Sequence, residues 1–261
     1  MNLSLEGKYA LICGSSQGIG FAIAEELALM GANCILLARN KERLEDNLGL
    51  LDITLRQMHS CHAIDVNDHA ALEQLIDEIL RKHPIHILIN NSGGPAAGPI
   101  VSATADQFLQ ALHQHLLTNH LLTTAVIPVM KAEGYGRIVN VISTSVKIPL
   151  PNLGVSNTTR GAVASWAKTM ANELAKFGIT VNNVLPGATR TQRLENIINN
   201  NAQKKNREVE EVEQEMMNEI PAKRFGEAGE VAAVAAFLAS PAAAYVNGVS
   251  IPVDGGRTGS I

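Results

Sequence analysis

Apolar and polar positions along this chain fall into blocks that switch between two periods. Short runs rich in Val, Ile and Leu read as strands over residues 9–13, 33–38, 59–64, 85–90, 137–142, 180–185 and 248–253. Between them, residues 19–30, 41–58, 68–82, 105–132, 156–177 and 228–239 carry a period near 3.6 and predict helices. Runs that are apolar on both faces need cover on both sides, which suits a parallel sheet between two helix layers. Strand–helix alternation with right-handed crossovers then predicts an α/β fold, a Rossmann-like doubly wound parallel sheet of about seven strands. Neither repeat nor linker divides the chain, so residues 1–261 read as a single domain.

One stretch breaks the pattern. Residues 190–226 are polar, with Asn199, Asn200 and Asn201 in succession and an acidic run from Glu208 to Glu215. The charge pattern fits a solvated helix pair, whereas the position after a strand end fits a substrate lid. The sequence supports both.

Composition narrows the class. Of 261 residues, 46% are apolar and 18% charged, the balance of a soluble globule whose core needs no disulfide or structural metal. A formal charge of −4 without any basic run speaks against nucleic acid as a partner. Cys13, Cys34 and Cys61 lie in apolar stretches without metal-ligand spacing, so no metal site is expected and a reducing compartment is. The opening MNLSLEGKYALICG has neither the charge nor the apolar run of a signal peptide, and no stretch is apolar enough for a membrane span. A cytoplasmic protein with no membrane partner is expected.

The chemistry starts after the first strand, which runs into Gly14, Ser15, Ser16, Gln17, Gly18, Ile19 and Gly20 and then directly into a helix. The first glycine permits a tight turn, and the later two let backbone and helix approach a pyrophosphate. The helix opening adds free N–H groups and a positive dipole end. Glycines spaced G-x-x-x-G-x-G between a strand and a helix therefore predict a dinucleotide site. The second strand ends in Ala38, Arg39 and Asn40, with no carboxylate for a ribose 2′-hydroxyl. Arg39, with Ser15 nearby, suits a 2′-phosphate, so NADP(H) is favoured over NAD(H).

With these segments in view, the chain resembles the short-chain dehydrogenase/reductase family, in particular its 3-oxoacyl-acyl-carrier-protein reductase-like members. The resemblance runs over essentially the whole length. The glycine loop matches, with Cys13 where threonine is common. Asp65 and Val66 resemble the adenine-contacting pair, and Asn90, Asn91, Ser92 and Gly93 the N-N-A-G segment. Pro186, Gly187 and Thr191 resemble the stretch that meets the nicotinamide amide, and Val253 to Gly256 the C-terminal V-D-G-G. His86 stands where the family often has aspartate. The resemblance implies a small-molecule or acyl-thioester substrate and a homo-oligomer, dimer or tetramer, joined through helices 105–132 and 156–177. Trp166 and the small residues from Gly161 to Ala164 lie on the second of these.

The family's Asn, Ser, Tyr and Lys tetrad is where this chain departs. The serine position falls on Ser143, the tyrosine and lysine positions on Ser156 and Arg160, and the asparagine position on His115. No other tyrosine stands in easily: Tyr9 starts the first strand, Tyr135 precedes the fifth and Tyr245 lies near the C-terminus. A serine hydroxyl is no substitute acid for a tuned phenol, and an arginine stays charged where a lysine passes a proton. Losing a positioned general acid costs about 10²- to 10⁴-fold in rate. His115 is a replacement acid or a packing histidine beside His113 and His120. Lys147 borders the pocket or faces solvent. Arg160 binds ribose, an anionic substrate or a structural partner, and Ser156 bridges to Ser143 or caps the next helix. Serine in place of tyrosine predicts a roomier, more polar pocket floor. Two readings follow: an oxidoreductase with a remodelled proton donor, or a dinucleotide-binding sensor, scaffold or subunit with little catalysis. A serine hydrolase built on Ser143 lacks the G-x-S-x-G elbow.

Overall fold

The structure, a computed structural model, describes residues 1–260. The first half places β1 (Tyr9–Cys13), α1 (Gly18–Leu29), β2 (Asn33–Ala38), α2 (Lys41–Leu48), β3 (Ser60–Ala63), α3 (His69–Lys82) and β4 (Ile85–Asn90) in strict alternation. The second half continues with α4 (Ala105–Leu112), α5 (Thr118–Glu133), β5 (Gly136–Val141), α6 (Gly154–Leu174) and β6 (Ile179–Pro186). It ends with α7 (Gln192–Lys205), α8 (Val209–Asn218), α9 (Ala228–Ala239) and β7 (Ser250–Val253). All pairs are parallel, in the order β3-β2-β1-β4-β5-β6-β7. The winding reverses between β1 and β4, which opens a crevice beyond their carboxyl ends.

Apolar side chains alternate between two cores because consecutive strand residues face opposite ways. Ala10, Ile12, Ile87, Ile89 and Val139 join Ile23, Leu27 and Ala235 on one face. Leu11, Leu88, Ile138 and Val181 join Leu72, Ile76, Val126 and Ala167 on the other. At the carboxyl end of the second face a polar belt crosses four strands. Asn90 Nδ2 donates to Asn140 Oδ1 at 2.9 Å, Asn140 Nδ2 to Asn183 Oδ1 at 2.9 Å, and Asn183 Nδ2 to Ser250 Oγ at 3.0 Å.

Three predicted helices differ from the observed ones. The helix expected over 41–58 stops at Leu48, and the chain then turns around Asp52, whose carboxylate accepts from the Thr54 N–H and hydroxyl. Side-chain bonds of this kind compete with helix continuation. The helix expected over 105–132 is interrupted by a π turn, His113–Leu117, whose wider ring inserts a residue and redirects the side chains that follow. The helix expected from 156 starts two residues earlier, at Gly154, so Ser156 lies inside it and does not cap it. Strand ends shift by one or two residues, as ends do.

Residues 190–226 form the pair α7 and α8, which owns a small core of Leu194, Ile198, Ala202, Val212, Ile220 and Phe225. Among the described residues no helix is long and apolar enough to cross a membrane, and no cluster of His, Cys, Asp and Glu has the makings of a metal site.

Candidate active site

The glycine loop leaves β1 with Gly14 at φ +62°, a left-handed turn that disfavours a side chain. A Cβ on Gly20 would lie 2.2 Å from the Gly14 carbonyl oxygen, so α1 packs against the loop only because Gly20 has none. Asn91, just past β4, ties the two sides of the crevice together by donating from Nδ2 to the Cys13 and Gly14 carbonyls at 3.3 and 3.2 Å. Gln17 precedes α1 without a side-chain cap, and no acid sits in the first turn. The N–H groups of the α1 opening thus face the crevice without a protein carboxylate, which is the donor set a pyrophosphate needs. The cradle fits a dinucleotide.

Ser15 corrects one expectation. Its side chain is fully buried and its hydroxyl donates to the Leu37 carbonyl at 3.4 Å, while Asn47 Nδ2 donates to the Ser15 carbonyl at 3.0 Å. Burial turns it into a tie between loop, β2 and α2, with no hydroxyl to offer a phosphate. Ser16 and Ile19 are half-buried and Gln17 is exposed, accepting from Arg43 Nη1. Arg43 stands in the first turn of α2, whose cap Asn40 accepts from the Arg43 N–H at 3.0 Å. With exposed Arg39 at the exit of β2, it gives that corner two guanidinium groups. Arg43 lies past the strand end that marks Arg39, and its place four residues on is the only trace of it in the sequence.

Asp65 and Val66 follow β3, with Asp65 Oδ1 closing a turn onto Asn67 and the Val66 carbonyl accepting from Thr118 Oγ1 at 3.2 Å. At the other end, Pro186 completes β6 and the Gly187 N–H bonds the Val253 carbonyl at 2.9 Å. Thr191 caps α7, and its methyl lies 3.3 Å from where a Gly18 side chain would begin. Thr191 therefore faces the glycine loop across the crevice.

The positions matched to the tetrad lie just after β5, within α6 and on the π turn between α4 and α5. Ser143 is half-buried and accepts from the Ser145 N–H at 3.1 Å. Ser156 and Arg160 stand one turn apart on α6, each 7% exposed, with no hydrogen bond between Ser143 and Ser156. Arg160 donates to the Val141 carbonyl at 3.1 Å and the Ser92 carbonyl at 3.4 Å. His115, on the π turn and 1% exposed, pairs through Nδ1 with Ser92 Oγ at 2.7 Å, and its Nε2 has no partner. Gly93 next to it is exposed, with open space where a side chain would be. Lys147 is exposed at the end of the turn after Ser143.

Electrostatics bear on His115 and Arg160. Burial first, then the charges of Arg160 and Arg193, push the His115 imidazole down to about 3. It is neutral at physiological pH and has no imidazolium proton to give. Burial and Arg193 pull the Arg160 guanidinium down to about 10, which still leaves it charged. Arg193, in the first turn of α7, was not singled out from the sequence; its Nη1 donates to the Gly94 carbonyl at 3.0 Å. The pocket floor is polar, as expected, but Ser156, Arg160 and His115 are too little exposed for it to be roomy. The tyrosines stay away. Tyr9 starts β1, Tyr135 bonds the Ala239 carbonyl at 2.7 Å, and Tyr245 is fully exposed after α9.

Residues 14–258 match a family model described as Enoyl-(Acyl carrier protein) reductase. The chain is 31% identical over 259 residues to the gluconate 5-dehydrogenase of Gluconobacter oxydans, covering 99% of this chain and 97% of that protein. It is 32% identical over 258 residues to a chloroplastic tropinone reductase homolog of Arabidopsis thaliana, covering 98% and 77%. The L-sorbose reductase of Gluconobacter frateurii, solved with NADPH and L-sorbose, superposes with a TM-score of 0.94 at 29% identity, covering 100% of both chains. Seven parallel strands, a glycine cradle at the switch point and similarity along the entire chain lead to one assignment: the protein belongs to the short-chain dehydrogenase/reductase family of oxidoreductases.

Proposed function

We propose that the chain is an NADP(H)-dependent oxidoreductase that interconverts a carbonyl and a hydroxyl without a phenolic proton donor. The observation that carries this is a convergence on one sheet edge. The uncapped opening of α1 and the paired Arg39 and Arg43 flank the same crevice that Ser143, Ser156 and Arg160 border. NADPH in the solved L-sorbose reductase supports the phosphorylated cofactor.

A bound nicotinamide supplies the hydride. The glycine loop Gly14–Gly20 would hold the pyrophosphate through its free backbone amides, Arg39 and Arg43 would hold the ribose phosphate, and Asp65 and Val66 would border the adenine. Asn91, Ser92 and Gly93 would line the middle of the crevice, and Pro186, Gly187 and Thr191 would hold the carboxamide. Ser143 and Ser156 donate hydrogen bonds to the substrate oxygen. Arg160, buried and charged, stabilises the negative charge that grows there, and a preorganised charge in a dry site acts more strongly than in water. The proton that completes the alcohol passes from solvent water through the Ser156 hydroxyl. We assign α7 and α8 as the lid, because Thr191 and Arg193 touch opposite banks of the crevice while the pair packs on its own core. A homo-oligomer joined through α4, α5 and α6 is supported by exposed Leu109 and Leu117 beside that layer.

Loss of NADPH absorbance with a panel of ketones, aldehydes, sugars and 3-oxoacyl thioesters tests the reading. NADPH is consumed in preference to NADH, and kcat/KM stays level from about pH 4 to about pH 9. The level region follows from His115 remaining neutral down to about 3 and Arg160 remaining charged up to about 10. Tight NADPH binding without turnover of any compound would replace this reading with that of a binding protein.

A further inference from the structure

We propose that Arg193, Arg160 and the Nε2 of His115 form a receptor for a carboxylate on the substrate, so that the compound turned over is an oxo acid or hydroxy acid. The inference rests on reading the crevice as a hydride-transfer site and narrows its substrate class.

Three donors meet at one short segment. Arg160 bonds the Ser92 carbonyl, Arg193 bonds the Gly94 carbonyl, and His115 pairs with the Ser92 hydroxyl. Carbonyls two residues apart are separated by at most about 7 Å, and the charges of both guanidinium groups act on the His115 imidazole. Among the described residues neither arginine has a carboxylate partner, although Arg190, Arg207, Arg224 and Arg257 all do. Arg160 is buried while Arg193 lies on the solvent side of the same segment, so the field of two like charges reaches one spot with no anion to offset it.

The placement is poor for stability and good for a ligand. Arg193 stands in the first turn of α7, where the helix dipole already presents its positive end. Its fork has five N–H donors, of which Nη1 alone is bonded, to the Gly94 carbonyl. His115 Nε2 is buried with no partner, a group that normally costs free energy unless something arrives to bond it. In the tautomer whose Nδ1 accepts from Ser92 Oγ, the Nε2–H is free to donate to an anionic oxygen. Field and donors thus point to one anion. A neutral thioester or sugar carries none.

The cofactor's phosphates are the competing source of negative charge, and the experiment separates them. Steady-state kinetics compare oxo acids of increasing length with their methyl esters, in the wild type and in Arg193→Met. The wild type prefers acid over ester by about 30-fold or more in kcat/KM, and the variant reduces that ratio about tenfold, mainly through KM. NADPH affinity, from fluorescence titration, moves less than about threefold. Equal use of acid and ester, or a loss of NADPH affinity as large as the loss for the acid, overturns the receptor. If no compound is turned over, calorimetric titration of the NADP⁺-loaded protein with malonate decides instead. Binding that weakens about tenfold in Arg193→Met keeps the receptor and removes only the hydride reading, whereas absence of binding removes the receptor.

Discussion

The two banks of the crevice differ in what they require of the sequence. On the β1 bank the chain is held to small residues and backbone groups: Gly20 cannot carry a Cβ, and Asn91 laces the loop to β4. On the β4–β6 bank the same fold carries polar side chains, Ser156, Arg160 and His115, whose chemistry the backbone does not dictate. Gripping a dinucleotide and handling a proton are therefore separable tasks. The first rests on backbone geometry and the second on side chains.

The largest effect should come from attacking the first bank. Gly20→Ala forces a methyl into the Gly14 carbonyl, and NADPH affinity should fall by about 100-fold or more. Fluorescence titration measures it, with circular dichroism to confirm folding. Gly18→Ala, at φ +59° beside Thr191, provides a second variant should the first unfold. Unchanged affinity in both would mean that the loop does not hold the cofactor.

A smaller effect sharpens the description of the second bank. His115 has a folded-state value of about 3, below its ordinary 6.5. Above pH 6.5 both folded and unfolded chains leave it neutral, and it contributes nothing to pH dependence. Between 6.5 and 3 the unfolded chain takes up a proton that the folded one refuses, so stability falls as pH falls. The slope is about 1.4 kcal/mol per pH unit, and His115→Asn should remove it. Urea midpoints at successive pH values read this directly. Parallel slopes in the two proteins would show His115 to be protonated in the fold.

The smallest effect returns to the first bank. Arg43→Ala should weaken NADPH about fivefold, the worth of an exposed charge-assisted contact, and leave NADH within about twofold. An equal loss for both cofactors would assign Arg43 to the pyrophosphate and not to the ribose phosphate.

Local period and composition made the sheet legible, because β2, β4 and β5 are buried along their whole length and are rich in Val, Ile and Leu on both faces. The glycine loop was legible for a similar reason: its geometry admits few residues. The interruption between α4 and α5 was not, since a π turn leaves no mark on a helical pattern. Ser15 was misread because whether a hydroxyl faces a ligand or a neighbouring strand depends on packing across 22 residues. Arg193 was invisible because its meaning comes from Gly94, 99 residues away.

The Asn90–Asn140–Asn183–Ser250 belt has a mechanical consequence. Slipping any of these strands by one residue would strand paired amides in an apolar layer, so the four strands are locked in register as one plate. The belt thus makes the floor of the crevice one stiff unit across β4 to β7.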